Sequence, residues 1–143
     1  MTVRLITPED FEQWRLLWEG YLSFYRAEGE PPAVFPRLVS DDGAVAGLLA
    51  VGSAGQAIGL AHVVFHASTW SDQPSCYLND LFVAREARGK GAGRALIEAT
   101  YQLARSRRCE KVYWHTQEFN SAARSLYDTV GTLTSFRVYE HSL

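Results

Sequence analysis

The segment that most restricts the fold is Arg88-Gly89-Lys90-Gly91-Ala92-Gly93, a glycine-rich turn set between an apolar strand and an amphipathic helix. Cys76–Val83 reads as the strand before it. After it, Leu96, Ala99 and Leu103 recur on one side of a helix, widened by Ile97, Tyr101 and Ala104. Glycines at such a turn adopt positive φ and let the backbone approach a ligand closely. The free N–H groups of the helix start then converge on one spot and hold an anion. Arg88, Lys90 and Arg94 add positive charge, so a diphosphate is the natural guest. Two familiar phosphate motifs do not fit. GxxxxGK[ST] is absent, and Leu96 stands where the dinucleotide motif GxGxxG needs its third glycine. As a bare turn, the segment is equally compatible with a plain helix start.

The rest of the chain falls around this unit. Val3 and Leu5 alternate with polar neighbours, as in a short strand. Thr7-Pro8-Glu9-Asp10 announces a helix, with Thr7 as cap and Asp10 where a capping box puts its acid. Phe11, Trp14, Trp18, Tyr21, Leu22 and Tyr25 follow helical spacing, and Gly20 is expected to split that run into two helices. Pro31, Pro32 and Pro36 mark a loop. Ala44–Val51 and Ala57–His66 read as strands joined by a hairpin loop at Gly52–Gln56. Lys111–Thr116 is a strand, Asn120 caps a helix carrying Ala123, Leu126, Tyr127 and Val130, and Ser135–Ser142 provides a last strand. The expected order is β-α-α-β-β-β-α-β-α-β, an α/β chain of one domain with a mixed sheet flanked by helices.

Composition narrows the function. The chain has 143 residues, 47% of them hydrophobic, enough for a core without metals or disulfides. Cys76 and Cys109 have no CxxC spacing, no apolar run reaches the roughly 18 residues of a membrane helix, and no signal-peptide block follows Met1. A cytoplasmic protein without a membrane partner is expected. The net charge of −2 argues against nucleic acid as a partner. The charge is uneven, however. Residues 1–60 carry four arginines against eight acids, whereas residues 81–111 carry eight bases against three acids. That pattern suggests a cationic partner at one place and an anion at another. His62, His66, His115 and His141 are scattered, and no metal set is expected.

Two motifs carry a family resemblance. Arg88-x-x-Gly91-x-Gly93, after Tyr77-Leu78-Asn79-Asp80-Leu81-Phe82-Val83, resembles the acetyl-CoA-binding motif of the GNAT N-acetyltransferases. Asn120-x-x-Ala123-x-x-Leu126-Tyr127-Asp128-x-Val130-Gly131 resembles that superfamily's second motif. Leu78–Val83, Tyr113–Thr116 and the early Trp18, Tyr21, Phe24, Tyr25 pattern are similar to its small histone/polyamine acetyltransferase-like branch. The resemblance implies a sheet splayed between the Cys76–Val83 and Lys111–Thr116 strands. Acetyl-CoA would lie there, with pantetheine along Leu81, Phe82 and Val83 and the diphosphate on Arg88, Gly89, Lys90, Gly91, Ala92, Gly93 and Arg94. It also implies a homodimer involving residues 132–143.

Acetyl transfer to an amine needs a neutral nucleophile, a donor for the tetrahedral oxyanion and a proton for the departing thiolate. Tyr127 matches the family position that protonates the thiolate. Asp80 is the candidate base or amine-orienting acid. The similar polyamine enzymes carry Glu one position earlier, where this chain has Asn79, so a water chain to solvent is the alternative to Asp80. Asn120 caps its helix and is also a candidate for a cofactor bond. Trp18, Tyr21, Tyr25, Glu28, Asn79 and Trp114 are expected to wall the acceptor site. The acceptor would be a polyamine, an amino acid or a lysine side chain. A non-catalytic acyl-CoA-binding or interaction module on the same fold remains the alternative.

Overall fold

Five strands make one mixed sheet in the order β1-β2-β3-β4-β5. The computed structural model describes residues 1–25 and 34–143. The strands are β1 (Thr2–Leu5), β2 (Val45–Val51), β3 (Ala57–His66), β4 (Ser75–Val83) and β5 (Lys111–Tyr113), with helices α1 (Phe11–Phe24), α2 (Phe35–Leu38), α3 (Ala92–Ser106) and α4 (Ser121–Val130). β1 to β4 pair antiparallel; β5 runs parallel to β4 after the α3 crossover.

Both faces of the sheet are covered. Ala46, Leu48, Ala61, Val63, Cys76 and Leu78 pack with Leu96, Ile97 and Ala104 of α3. Leu49 and Leu60 face the other way, onto Trp14 and Leu17 of α1 and Phe35 and Leu38 of α2. A strand buried on both faces reads as a continuous apolar run, and β2, Val-Ala-Gly-Leu-Leu-Ala-Val, does so.

Three expectations change. α1 runs through Gly20 without a break, because Gly20 packs on Phe82: a Cβ there would lie 3.2 Å from the ring. The glycine lets the helix approach β4 rather than ending it. The second helix is instead the single turn α2, with Pro36 in its first turn, within what the prolines suggested was loop. Ser135–Ser142 forms no strand. Residues 132–143 exchange no hydrogen bond with the described residues, and Phe136 and Tyr139 are 89% and 98% exposed. One strand without a hairpin partner cannot satisfy its backbone groups, and the edge strand β5 offers only three residues. Among the described residues, no helix is long and apolar enough to cross a membrane.

The entry into α1 is fixed electrostatically. Asp10 accepts two hydrogen bonds from the Arg4 guanidinium, at 2.7 and 2.8 Å, and one from the Thr7 N–H at 2.8 Å. This forms the expected capping box, in which the acid returns to the Thr7 backbone, and the Thr7 hydroxyl also donates to Asp10. The Arg4 bond, with the Thr7 bonds, outweighs burial and lowers the Asp10 carboxyl to about 2. The folded value lies below the roughly 3.9 of an unfolded chain, so the stabilisation is complete above about pH 4 and is lost as pH falls through 2. Asp10→Asn is expected to cost about 2 kcal/mol at pH 7 and to flatten the pH dependence of stability between 4 and 2, measured by denaturant titration.

Candidate active site

β4 and β5 stay paired only from Ser75–Lys111 to Tyr77–Tyr113. Beyond Tyr77 the strands part, which leaves the outer edge of β4 open, as the resemblance implied. A cleft fills the gap, lined by Tyr21, Tyr25, Leu78, Asn79, Leu81, Trp114, His115, Thr116 and Tyr127. Along β4, the Ala84 N–H bonds back to Ile58 of β3 at 2.8 Å. Because backbone groups alternate along a strand, those of Val83 and Leu81 face the open edge.

One extra residue sets the side chains of this strand. His62 pairs with Asp80, but Val63 pairs with Leu78, so Asn79 is bulged. Cys76 and Leu78 face α3 before the bulge, and Leu81 and Val83 face α3 after it. Asp80 and Phe82 are thereby turned towards α1. Without the bulge, Asn79 and Leu81 would face α1 instead.

Asp80 is held on every side. The Tyr21 hydroxyl donates to Oδ1 at 2.8 Å, Asn79 Nδ2 donates to Oδ2 at 3.1 Å, and His62 Nδ1 lies 3.1 Å from Oδ2. Burial pushes the carboxyl up, but the bonds from His62, Tyr21 and Asn79 more than offset it, and the carboxyl lies below its ordinary range. Asp80 itself does not line the cleft; Tyr21 stands between them, its hydroxyl pushed far up by burial and by Asp80. Trp18 lies behind Tyr21, stacked on Trp14 and against His62, and does not reach the cleft. Tyr25, Asn79 and Trp114 do reach it. Glu28, with Glu30, lies outside the described residues.

Opposite Tyr21, Tyr127 of α4 stands edge-on to Trp114, ring centres 5.5 Å apart. Its hydroxyl makes no hydrogen bond to a described residue, and burial, then Tyr25, raises it above the usual phenol range. Tyr127 therefore holds its proton at neutral pH and has it free to give. Asn120 caps α4 through its Oδ1, which accepts the Ala123 N–H at 3.3 Å.

The glycine turn leads away from the cleft. Gly89 and Gly91 have φ of +77° and +89°, where a side chain is strained, and a Cβ on either would point into open space. The first bond of α3 runs from Ala95 N–H to Gly91 C=O, so the N–H groups from Gly89 to Arg94 have no partner among the described residues. This cradle fits a diphosphate. The bases nearby divide their roles. Arg88 Nε donates to the Val83 carbonyl at 2.9 Å and the guanidinium lies over Phe24 and Phe82; Arg94 reaches Thr129 at 2.7 Å. Lys90 is exposed beside the turn. Arg107 binds the Gly43 carbonyl and Lys111 lies over Tyr113, so the basic segment is no single surface. Nor do the acids of the first 60 residues form a cation site among the described residues: Asp10 pairs with Arg4, and Glu12 and Glu19 with Arg15.

The sequence motif of the acetyltransferase (GNAT) family matches residues 2–131. The chain belongs to that family. It is an acetyltransferase, similar across 99% of its length, at 35% identity, to the D-amino-acid N-acetyltransferase HPA3 of Saccharomyces cerevisiae, of which 91% is covered. It is also 30% identical, over 92% of its length and 89% of the relative's, to the uncharacterized N-acetyltransferase YhfO of Bacillus subtilis. The fold agrees with that of the aminoglycoside acetyltransferase AAC(6')-Iy, solved with a CoA-linked bisubstrate analogue, at a TM-score of 0.85, 20% identity and coverage of 99% and 97%. Sequence reading did not connect His62 or His115 with this cleft. The one available signal was a histidine within an otherwise apolar strand, Ala57–Phe65.

The cradle is testable on its own. Gly91→Asp adds strain at φ +89° and a negative charge where the diphosphate would sit. Calorimetry is expected to show at least tenfold weaker CoA binding, about 1.4 kcal/mol; unchanged affinity would remove the turn from the cofactor site.

Proposed function

We propose that this GNAT enzyme transfers the acetyl group of acetyl-CoA to the amine of a small acceptor, of the amino-acid class, by direct attack in a ternary complex. The reading is carried by two unlike phenols across one cleft. Tyr21 gives its proton to a carboxylate, whereas Tyr127 has a proton with no acceptor. The first pair is arranged to receive a proton and the second to supply one. The acceptor class is supported by the relative named a D-amino-acid N-acetyltransferase.

Acetyl-CoA would lie with its diphosphate on the N–H groups of Gly89 to Arg94 and its pantetheine along the open edge of Leu81 and Val83. The ammonium proton passes to the Tyr21 oxygen as the Tyr21 proton moves to Asp80 Oδ1. The neutral amine attacks the thioester carbon, and the tetrahedral intermediate expels the thiolate, which takes the Tyr127 proton. The protonated amide nitrogen then gives its second proton to the Tyr127 phenolate, and Asp80 returns the first through Tyr21 to solvent, so that acetamide, free thiol and one proton leave. Asn79 acts here by holding Asp80 rather than as the base. The two free cysteines, Cys76 and Cys109, support a cytoplasmic setting.

Tyr127→Phe is expected to leave CoA affinity intact and lower kcat about 10²-fold, the low end for general acid catalysis. Thiol release measured over a panel of D- and L-amino acids and polyamines tests both parts. An unchanged kcat removes Tyr127 from the reaction; release with polyamines alone overturns the acceptor class.

We also propose a homodimer that uses residues 132–143. Leu133, Phe136, Val138 and Tyr139 are exposed on a segment without backbone partners, and such a segment is stabilised by pairing with a second copy. Light scattering at micromolar concentration is expected to give a dimer for the full chain and a monomer for a chain ending at Gly131. A full-length monomer would overturn the assembly.

A further inference from the structure

Four side chains form one hydrogen-bonded chain from the core to the cleft. Trp14 Nε1 donates to His62 Nε2 at 2.9 Å, His62 Nδ1 meets Asp80 Oδ2 at 3.1 Å, and Asp80 Oδ1 accepts from Tyr21 at 2.8 Å. Trp14 is fully buried and His62 nearly so. An indole nitrogen only donates, so His62 Nε2 accepts and carries no proton. The single ring proton is therefore on Nδ1, aimed at Asp80. A second proton on His62 would set two N–H groups against each other across 2.9 Å.

We infer that Trp14 and His62 are positioning residues for Asp80: the indole fixes the imidazole tautomer, and the imidazole N–H keeps the carboxylate turned to Tyr21. The role rests on the reading of Asp80 as the proton acceptor. It explains why a buried strand carries a histidine, and why the tryptophan facing it is placed with its nitrogen inward rather than at the surface.

The surroundings leave His62 as the group that matters. Asp80 meets Tyr21 from α1, His62 from β3 and Asn79 from its own strand, with Tyr77 next along β4 and Tyr25 next to Tyr21. His62 meets Trp14 and Trp18 from α1. Among the described residues, no lysine or arginine lies within ion-pair distance of Asp80. His62 thus carries the N–H on which the carboxylate's orientation depends, and Trp14 fixes where that N–H sits. Trp14→Phe keeps an aromatic ring but frees Nε2. The imidazole is then no longer held to one tautomer, and its N–H is lost from Asp80 whenever the proton sits on Nε2.

The test combines spectroscopy with kinetics on the full chain. Long-range ¹⁵N–¹H correlation spectra are expected to show His62 protonated on Nδ1 alone between pH 6 and 8. His62→Phe is expected to lower kcat/KM for the amine at least tenfold with CoA affinity unchanged, and His62→Asn, whose amide sits where Nδ1 does, to recover part of it. Trp14→Phe is expected to show His62 in a mixture of the two tautomers and to lower kcat/KM for the amine with CoA affinity unchanged. A proton on Nε2 in the wild type, equal losses in the two His62 variants, or a Trp14→Phe enzyme with His62 still on Nδ1 alone and kcat/KM unchanged would each overturn the role. Should Trp14→Phe not fold, the wild-type spectrum and the His62 pair decide. A wild type that acetylates amines with Nε2 protonated overturns this inference alone. A wild type with the stated tautomer that acetylates no amine overturns the reading of the site, and the positioning role falls with it.

Discussion

At Asn79, β4 carries one residue more than the strand it pairs with, and the extra residue decides which helix layer each later side chain meets. A strand alternates its faces strictly, so one inserted residue exchanges everything downstream of it. Here the exchange turns Asp80 towards Tyr21 and His62 while Leu81 and Val83 join the α3 core. The same strand also loses its β5 partner just past Tyr77, which frees one edge of its backbone. A carboxylate in a defined pocket and an unpaired strand edge thus arise within a few residues of each other. The proposed proton acceptor Asp80 and the proposed cofactor edge share one strand, as acyl transfer between two bound molecules demands.

The helices supply what the strand cannot. α1 comes close because Gly20 has no side chain to hold it off Phe82, and that approach brings Trp14 and Tyr21 into hydrogen-bond range of β3 and β4. A polar chain placed under a helix in this way is costly unless every member is satisfied. It is: among the described residues, no buried side-chain polar atom lacks a partner. On the other face, α3 gives its unsatisfied N–H groups to the glycine turn, and α4 holds Tyr127 across from Tyr21, anchored where the Tyr101 hydroxyl donates to the Val130 carbonyl at 2.6 Å. Each layer of the sandwich therefore contributes one part of the proposed site.

What the residues alone settled is local. The turn Arg88–Gly93, the hairpin loop Gly52–Gln56, strands β2 to β4 within a residue and the Asn120 cap depend on φ preference, alternation and short-range hydrogen bonds, all of which neighbours in sequence decide. The family followed from two such motifs. Tertiary structure decided the rest, because it turns on contacts between distant positions. Gly20 looks like a helix breaker until Phe82, 62 residues on, is seen to need its space. The apolar alternation of Phe136 and Val138 looks like a strand, yet a strand exists only where another pairs with it, and residues 132–143 exchange no hydrogen bond with the described residues. His62 and Trp14 read as core residues, 48 positions apart, and only the register of β3 on β4 and the seat of α1 join them to Asp80. Spacing along the chain shows which side chains share a face; which face meets which is set by the packing of the whole sheet.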